Sequence, residues 1–482
     1  MNSNKFSTFA LKNNIFYLFL LIIVSFIVSL LDLQNPIHSY YERYDATLYQ
    51  YIGKMIWHNQ LPYKDIFDHK GPMVYFWNTL GYIIHPMHGR WLIEFFALSI
   101  SSYIAFSIAK IFLSPLQSFL ITCILFLNTP FADTIGNSES FATFLLFICL
   151  KIYINYTQDN NLSIAKNLSL GILCALLLLT KPTYLIIPII FTFFVILELL
   201  YKKNYSPLKT SIIYFCIGFF SILAILTGIY LYNNVLTYLW KNYILFNIEY
   251  VKYWQNFNST SLVLLFFLSK KIIQSSLCFI TIILLFYKKY TPKEHKLILF
   301  TILSFVLSLI FIIMPKTLFE HYLYPLFPLI LILFILVIKL ISKYKYIASF
   351  LLFIILCLNL HNCITYLLET KEDKNTIKVA KIIDYYLKDG EKFQTLGWDM
   401  GRLHLLSNHN CSTPYVLPAM IDRIHPEIIY KTLKNNPPPI IVILPDIPAY
   451  HITNINTFWP SFWKEYIKIY KEDDFEIYLK AK

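Results

Sequence analysis

YDATLYQYIGKMIWHNQLPYKDIFDHKGP, residues 44–72, sets a dense group of polar side chains in a chain that is otherwise mostly Leu, Ile, Phe and Tyr up to residue 366. The polar residues that stand out are Asp45, Asp65, Asp68, His69 and Lys70. An apolar run at residues 15–31 precedes them, and polar groups this dense beside a membrane indicate a site at the water interface. A carboxylate can take a proton from a hydroxyl group, and a lysine can hold a phosphate. The stretch therefore predicts acid–base and phosphate chemistry.

Composition places this stretch in a membrane protein. Of 482 residues, 57% are hydrophobic and 14% charged, and the mean hydropathy is +0.55. Apolar runs recur, each long enough for a helix to cross a hydrocarbon core of about 30 Å. The fold class is thus a polytopic α-helical membrane protein. We expect the run at 15–31 to be retained as a span, because no small-residue cleavage site follows it.

The basic residues give the predicted orientation. Residues 369–482 contain 15 basic and 15 acidic side chains, so the whole net charge of +13 lies in the apolar part. Much of this excess falls in alternate loops, which the positive-inside rule places in the cytoplasm. The residues concerned are Lys5, Lys12, Lys110, Lys151, Lys166, Lys202, Lys203, Lys209, Lys288, Lys289, Lys293, Lys296, Lys339, Lys343 and Lys345. Nucleic acid is not an expected partner.

This orientation predicts about eleven spans, a cytoplasmic N-terminus and an extracytoplasmic C-terminus in the inner or plasma membrane. The predicted spans are residues 15–31, 91–112, 117–131, 139–156, 167–180, 183–200, 211–231, 272–287, 297–314, 323–341 and 346–366. Residues 32–90 form the first outer loop. Within it, residues 73–84 are too short to cross, so they are predicted, with the amphipathic residues 46–57, as interfacial helices.

Two further outer segments are predicted. The aromatic loop at 232–271 is expected along the outer membrane surface. Residues 1–366 form the transmembrane domain, and alternating helix and strand patterns after it predict a small extracytoplasmic α/β domain at 367–482. Its predicted strands are 393–398, 439–444, 466–470 and 475–479, and its predicted helices are 372–387 and 426–433.

Each candidate site residue in the first loop also has a local structural interpretation. Asp45 begins the first amphipathic pattern, so it could cap that helix as well as act as a base. Asp65 and Asp68 lie around a turn, where Asp is common for local reasons. Lys70 precedes Gly71-Pro72 where the chain re-enters the interface, and it could reach headgroups or hold a lipid phosphate.

Three later groups also fall on the predicted outer side. Glu139 opens a span and would face the first loop, or it could mark the membrane edge. Lys181 lies between two short apolar runs, and a lysine there is costly without an anionic partner. His321 and Tyr322 open another span, where a lone histidine is more often structural than catalytic.

These motifs resemble those of the polyprenyl-phosphate-sugar-dependent glycosyltransferases of the GT-C superfamily, especially bacterial relatives of protein O-mannosyltransferase and lipid A aminoarabinose transferase. The matching motifs are Asp45-x-x-x-Tyr49-x-Tyr51-x-Gly53, Pro62-Tyr63-x-Asp65-x-x-Asp68-His69-Lys70-Gly71-Pro72, Gly136-Asn137-x-Glu139, Thr180-Lys181-Pro182 and His321-Tyr322-x-x-Pro325. The chain departs from the family in two places. Ala46 replaces the second residue of an Asp-Glu pair, and Gly71-Pro72 replaces Pro-Pro.

The resemblance implies the roles of the site residues. Asp45 and Glu139 match catalytic carboxylates, and Lys70 matches a lysine that contacts the donor phosphate. The other residues expected at the substrate are Tyr49, Asp65, Asp68, His69, Lys181, His321 and Tyr322. Asp45 would deprotonate an acceptor hydroxyl, and single displacement would invert the anomeric centre.

The expected partners follow from this reaction. They are a polyprenyl-phosphate sugar donor, a glycan, lipid or protein acceptor of the cell envelope, and membrane lipids. No cofactor or metal ligand is assigned, because lysine could take the place of the divalent metal, although a divalent metal stays open as an alternative.

Two other function classes remain as alternatives. A transporter or flippase for lipid-linked sugars would place polar groups and broken helices at mid-membrane, whereas this chain concentrates them at the outer edge. An O-antigen polymerase or ligase would be expected to carry arginines in a large later outer loop, and residues 232–271 contain none. A non-enzymatic assembly protein is a third and weaker alternative.

Overall fold

The computed structural model describes residues 3–32, 34–37, 45–127, 135–257, 291–316, 320–341, 344–369, 374–399, 401–422, 424–444, 460–472 and 475–481. Packing divides the chain into two units. The helical unit comprises Met1–Asn35, Trp91–Ile229 and Trp254–Thr370. The mixed unit comprises Pro36–Arg90, Tyr230–Tyr253 and Lys371–Lys482, so it joins the first outer loop to the C-terminal residues.

The apolar runs form helices. Their bounds are Ser3–Ser29, Gly89–Ala109, Pro115–Phe126, Ser138–Asp159, Ile164–Leu178, Ile186–Tyr201, Tyr205–Tyr232, Pro292–Ile313, Phe327–Leu340 and Lys345–Glu369. Short 3₁₀ segments, Pro182–Leu185 and Glu320–Leu326, lead into two of them. Among the described residues, seven helical segments are long and apolar enough to cross a membrane, and three more are shorter.

Ten of the eleven predicted spans therefore coincide with helices. The predicted span at 272–287 lies outside the described residues, so the count of eleven stays a prediction. Aromatic side chains join several helices of the helical unit. The ring of Tyr153 lies 4.7 Å from that of Phe191 and 4.2 Å from that of Phe300, and all three side chains are buried.

The two predicted interfacial segments form the helices Asp45–Trp57 and Pro72–Ile84, which pack against each other in the mixed unit. Gly53 allows their close approach, because a Cβ there would lie 2.7 Å from the carbonyl carbon of Asn78. At 13 residues, Pro72–Ile84 is about 20 Å long and shorter than the membrane core. Its placement along the interface stays a prediction.

The described part of the predicted loop at 232–271 is mostly helical. Leu236–Leu239 continues through a π-helical turn at Trp240–Leu245 into Phe246–Phe257, and Phe246 N–H donates to the Lys241 carbonyl across that turn. Residues 258–271 of the predicted loop lie outside the described residues.

The C-terminal residues contain a four-stranded sheet. Strands β1 (Phe393–Leu396), β2 (Ile440–Ile443), β3 (Tyr466–Glu472) and β4 (Phe475–Lys480) are arranged in the order β1-β2-β4-β3. The pair β1–β2 is parallel and the other two pairs are antiparallel. These strands lie where the sequence predicts them, as do the helices Lys374–Tyr386 and Pro426–Asn435.

Shorter helices lie at Arg402–Leu406, Pro418–Asp422 and Pro460–Trp463. The core of this part of the chain is formed by fully buried apolar side chains such as Val379, Ile383, Phe393, Val442 and Ile477.

Candidate active site

The first-loop motif brings Asp45, Tyr49 and Lys70 together in the mixed unit. Asp45 and Tyr49 are four residues apart on one helix, so they share a face, and the Tyr49 hydroxyl donates to Asp45 Oδ2 at 3.0 Å. Lys70 Nζ lies 3.7 Å from the same oxygen. The Asp45 side chain is 24% exposed and that of Lys70 is 11% exposed, so the carboxylate is the more open of the pair.

The other side of Lys70 faces His69. Lys70 Nζ lies 3.2 Å from His69 Nε2, and His69 Nδ1 lies 3.5 Å from Asp68 Oδ1. An ammonium group can only donate, so Nε2 accepts and the imidazole proton belongs on Nδ1, which also lies 2.8 Å from Met420 Sδ. The Tyr75 hydroxyl donates to the second oxygen, Asp68 Oδ2, at 2.8 Å. A row of hydrogen-bonding groups thus runs from Asp45 to Tyr75.

Burial and charge set the protonation of His69 and Asp68. Burial lowers the pKa of His69, and the positive charge of Lys70 lowers it further, which keeps the imidazole neutral at pH 7. Burial by itself raises the pKa of Asp68, but the hydrogen bond from His69, the charges of His69 and Lys70 and the bond from Tyr75 together bring that pKa below its ordinary value. Asp68 is therefore a buried carboxylate.

The loop between the two helices is shaped by Tyr63 and Asp65. Tyr63 has a positive φ of 70°, and its hydroxyl donates to the Lys70 carbonyl at 2.6 Å, which closes the loop. Asp65 Oδ2 accepts from Leu61 N–H at 2.8 Å. This bond matches the local interpretation of Asp65 as a turn residue, and its contact with substrate stays a prediction.

Two asparagines outside this loop, neither of them predicted from the sequence, donate hydrogen bonds to its backbone. Asn242 Nδ2 donates to the Tyr63 carbonyl at 2.7 Å, and Asn247 Nδ2 donates to the His69 carbonyl at 2.6 Å. Residues five apart point in different directions on an α-helix, but the wider π turn brings them towards one face. Tyr250, on the same helix, lies with its ring 4.9 Å from that of His69. No sequence motif marks these contacts.

The C-terminal residues of the mixed unit hold the helix that carries Asp45. Tyr51 Oη accepts from Cys411 N–H at 2.9 Å, and Lys54 Nζ donates to the His404 carbonyl at 3.1 Å. The His404 ring lies between the rings of Tyr51 and Phe393, at 5.3 and 4.1 Å. Burial, with the nearby charge of Lys54, lowers the pKa of His404 to about 3.

A second polar cluster lies in the helical unit around Glu139. Lys181 Nζ donates to Glu139 Oε1 at 3.2 Å, and the Tyr184 hydroxyl donates to the same oxygen at 2.6 Å. The Ser138 hydroxyl donates to Glu139 Oε2 at 2.9 Å. The predicted anionic partner of Lys181 is therefore confirmed, and Glu139 is 2% exposed with both oxygens engaged.

The cation of this cluster also faces an aromatic ring. Lys181 Nζ lies 3.3 Å from the centroid of the Tyr322 ring, a cation–π contact. The His321 ring packs edge-on against Tyr322 at 4.8 Å. The structure thus brings Glu139, Lys181 and Tyr322 together, with His321 beside them.

Glu94 is a buried carboxylate that the sequence analysis did not single out. It is 2% exposed in the helix Gly89–Ala109, and its Oε1 accepts from the Ser140 hydroxyl at 3.1 Å. An acidic residue inside an apolar span was the signal that could have identified it.

Three solved structures of glycosyltransferases have folds similar to that of this chain. ArnT from Cupriavidus metallidurans has a TM-score of 0.63 in the apo state, with 11% identity over 96% of this chain and 97% of that chain. For ArnT bound to undecaprenyl phosphate, the TM-score is 0.60 and the identity 12%, over the same shares of the two chains. Oligosaccharyltransferase AglB from Archaeoglobus fulgidus, in complex with an inhibitory peptide and a dolichol-phosphate, has a TM-score of 0.53 and 10% identity, over 97% of this chain and 74% of that chain.

These similarities show a GT-C fold and a multi-pass membrane protein. The profile of a protein family described as "putative competence-induced protein Ccs4 N-terminal domain" matches residues 8–349. No curated protein matches the sequence.

Proposed function

The chain belongs to the Ccs4 N-terminal domain family. From its GT-C fold and the geometry of its first loop, we propose that it is a membrane glycosyltransferase that takes its sugar from a polyprenyl-phosphate donor. The observation that carries the proposal is the pair formed by Asp45 and Lys70. A partly exposed carboxylate lies 3.7 Å from a lysine ammonium in the first loop. The carboxylate can accept a proton, and the ammonium group can bind a phosphate.

The reaction assigns a role to each member of the pair. Asp45 removes the proton of an acceptor hydroxyl as that oxygen attacks the anomeric carbon of the sugar. The bond from this carbon to the phosphate oxygen breaks, and the phosphate leaves with its lipid. Lys70 stabilises the negative charge that develops on the departing phosphate. Attack opposite to the leaving group inverts the anomeric centre.

The neighbours of Lys70 hold its ammonium for this task. Neutral His69 accepts from Lys70, and its protonated Nδ1 faces Met420 Sδ at 2.8 Å and Asp68 Oδ1 at 3.5 Å. Tyr75 donates to the other oxygen of Asp68. Since His69 carries no charge, it orients the ammonium without neutralising it. We therefore assign Asp68 and His69 positioning roles behind Lys70.

In the second cluster, we assign Glu139 a positioning role. The resemblance to GT-C glycosyltransferases implies a catalytic role for it instead. Its oxygens already accept from Lys181, Tyr184 and Ser138, and the carboxylate is buried. A carboxylate in that state is better suited to holding a cation than to receiving a proton from substrate. Glu139 would then hold the ammonium group of Lys181 in position within the helical unit.

The donor class is supported by what the similar structures bind. ArnT was solved with undecaprenyl phosphate and AglB with a dolichol-phosphate, and both ligands are polyprenyl chains that carry a phosphate. The acceptor proposed here remains a cell-envelope glycan, lipid or protein, with membrane lipids around the site.

The test uses purified protein and a panel of polyprenyl-phosphate sugars, with release of polyprenyl phosphate as the readout. Asp45→Asn should lower the rate by about 10²- to 10⁴-fold, the usual contribution of a general base, because an amide cannot take the proton. The fold should be retained, since Asn also suits a helix N-terminus. Glu427→Gln, at an exposed carboxylate of the same unit, is the matched control and should keep wild-type activity.

Two results would contradict the proposal. Substantial activity in Asp45→Asn would remove Asp45 from the role of base. Movement of intact lipid-linked sugar across vesicles, without release of polyprenyl phosphate from any donor, would favour the flippase.

A further inference from the structure

A basic cavity in the helical unit has no part in the proposed reaction. It lies where the helices Ser138–Asp159 and Ile186–Tyr201 end and the helix Pro292–Ile313 begins, and its volume is about 160 Å³. The lysines around it belong to loops that the charge pattern predicts to be cytoplasmic.

The charged lining of this cavity consists of three lysines and one glutamate. Glu198 Oε1 accepts from Lys202 Nζ at 2.6 Å and from Lys296 Nζ at 3.0 Å. Lys293 Nζ donates to the Gln158 carbonyl at 2.9 Å, in the last turn of its helix. The cavity lining thus contains three ammonium groups and one carboxylate, an excess of two positive charges.

The geometry of these lysines suits a phosphate. Lys202 and Lys296 converge on one carboxylate oxygen, so both ammonium groups are within reach of a single anion. Each ammonium carries three N–H donors, and Glu198 takes one from each. Their side chains are 41% and 52% exposed, whereas that of Glu198 is 15% exposed. The cations are therefore more accessible than the anion that they share.

Three aromatic residues also line the cavity. They are Tyr153, Tyr156 and Phe194, and Tyr153 is buried among the rings of neighbouring helices. A cavity lined by both lysines and aromatic rings fits a phosphate that is attached to hydrocarbon. Basic pockets between helices on the cytoplasmic side are suited to phospholipid headgroups, because that leaflet is negatively charged.

We propose that this cavity binds the headgroup of an anionic phospholipid, with the lipid phosphate between Lys202 and Lys296 and the glycerol portion against the aromatic residues. The site would be separate in function from the proposed transfer reaction. Bound lipid would link the ends of three helices that the protein itself joins there through Glu198 and Lys293.

The experiment titrates delipidated full-length protein in detergent with phosphatidylglycerol or phosphatidylcholine and counts bound lipids by native mass spectrometry. The wild type should bind one phosphatidylglycerol in preference to phosphatidylcholine. Lys202→Gln/Lys296→Gln should weaken this binding about tenfold or more, since each lysine near a charged lipid contributes on the order of a fivefold change in affinity. Lys209→Gln/Lys345→Gln removes the same charge outside the cavity and should bind as the wild type does.

Glu198→Gln gives the sharper result. The amide can still accept from both lysines, but the competing negative charge is removed, so binding of phosphatidylglycerol should become tighter. An equal loss in the two double variants would overturn the proposal, as would equal binding of phosphatidylcholine or weaker binding by Glu198→Gln. Competition by millimolar inorganic phosphate that matches the lipid would assign the cavity to a free anion and would also overturn it.

Discussion

Lys70 lies between a carboxylate and an imidazole, with Asp45 Oδ2 at 3.7 Å and His69 Nε2 at 3.2 Å from its ammonium nitrogen. His69 is neutral, so it fixes the direction of the ammonium group while leaving its charge available. A phosphate that approaches Lys70 would meet an oriented cation, and little reorganisation would be needed when charge develops on the leaving oxygen.

Lys70→Ala should therefore impair the reaction of the donor. Loss of a charge-assisted contact of roughly 1.5–3 kcal/mol lowers kcat/KM for the donor about ten- to a hundredfold. If the contact strengthens as phosphate charge develops, kcat should fall as well as KM rise. Steady-state kinetics with donor and acceptor varied separately measure both. Lys64→Ala, at an exposed lysine of the same loop, is the control. A change confined to acceptor kinetics would show that Lys70 does not contact the donor phosphate.

His404 predicts a dependence of stability on acid. Its pKa is about 3 in the folded chain and near 6.5 when unfolded, so between these values the unfolded chain binds a proton that the folded chain does not. The contribution of neutral His404 to the free energy of unfolding is complete above about pH 6.5. It falls as the pH is lowered, by about 2 kcal/mol at pH 5.

His404→Phe keeps a ring between Tyr51 and Phe393 and removes this contribution. The drop in melting temperature from pH 7.5 to pH 5 should therefore be smaller than in the wild type. His58→Gln, at an exposed histidine, should keep the wild-type drop. The same drop in His404→Phe would show that another group controls acid stability.

Some residue contacts were predictable because local spacing or charge dictates them. Asp45 and Tyr49 share a face at a spacing of four, and Lys181 needed an anion, which proved to be Glu139. Asn242 and Asn247 had no such signal. Their contact with the loop depends on a π turn and on packing between segments far apart in sequence.

At the scale of elements, the helices Asp45–Trp57 and Pro72–Ile84 place the ends of the motif next to each other. Asp45 begins one helix and Lys70 lies two residues before the other, so the 3.7 Å separation of their charged groups depends on how the two helices pack. Gly53 sets that packing, because backbone atoms of Asn78 and Thr79 occupy the space of a Cβ.

Gly53→Ala should separate these helices. The added methyl group would lie 2.7–2.8 Å from backbone atoms that cannot move independently, and overpacking of this kind costs about 1–3 kcal/mol. Melting temperature and transfer rate should both fall, because Asp45 and Lys70 would move apart. Gly228→Ala has open space around the new Cβ and should leave both unchanged or raise stability. Wild-type activity in Gly53→Ala would show that the distance between the helices does not control the site.

The elements themselves were largely predictable, since helix and strand periodicities differ and Pro72, Pro292 and Pro426 begin helices at compatible first positions. The four strands also lie close to their predicted positions. The π turn at Trp240–Leu245 and the 3₁₀ segment Glu320–Leu326 were not predicted, because tertiary contacts decide such local departures from the α-helix.

For the whole molecule, hydropathy and motifs together predicted a GT-C membrane fold, and the similar structures show that fold. Hydropathy alone could not have predicted the GT-C fold, because every polytopic helical membrane protein has apolar runs of this length. The grouping of the first loop with residues 230–253 and the C-terminal residues was not predicted, since it depends on long-range packing such as the bond from Phe67 N–H to the Pro414 carbonyl. Membrane orientation is still a prediction from charge.

A reporter fused after Lys482 tests that orientation. The basic loops require an odd number of spans, and ten predicted spans coincide with helices, so the predicted span at 272–287 decides the parity. We expect alkaline phosphatase, which is active only outside the cytoplasm, to be active at this position, and a cytoplasm-only fluorescent reporter to be dark. Fusions after Lys203, in a basic loop, should show the opposite pattern.

A cytoplasmic signal after Lys482 would mean that residues 272–287 do not cross or that the spans before them are inverted. The Lys203 fusion separates these cases. If the Lys203 fusion is still cytoplasmic, the first loop is outside the cytoplasm, and the proposed reaction still takes place on the outer side of the membrane. If it is extracytoplasmic, Asp45 and Lys70 are on the cytoplasmic side, and a transferase that acts on the outer leaflet is ruled out.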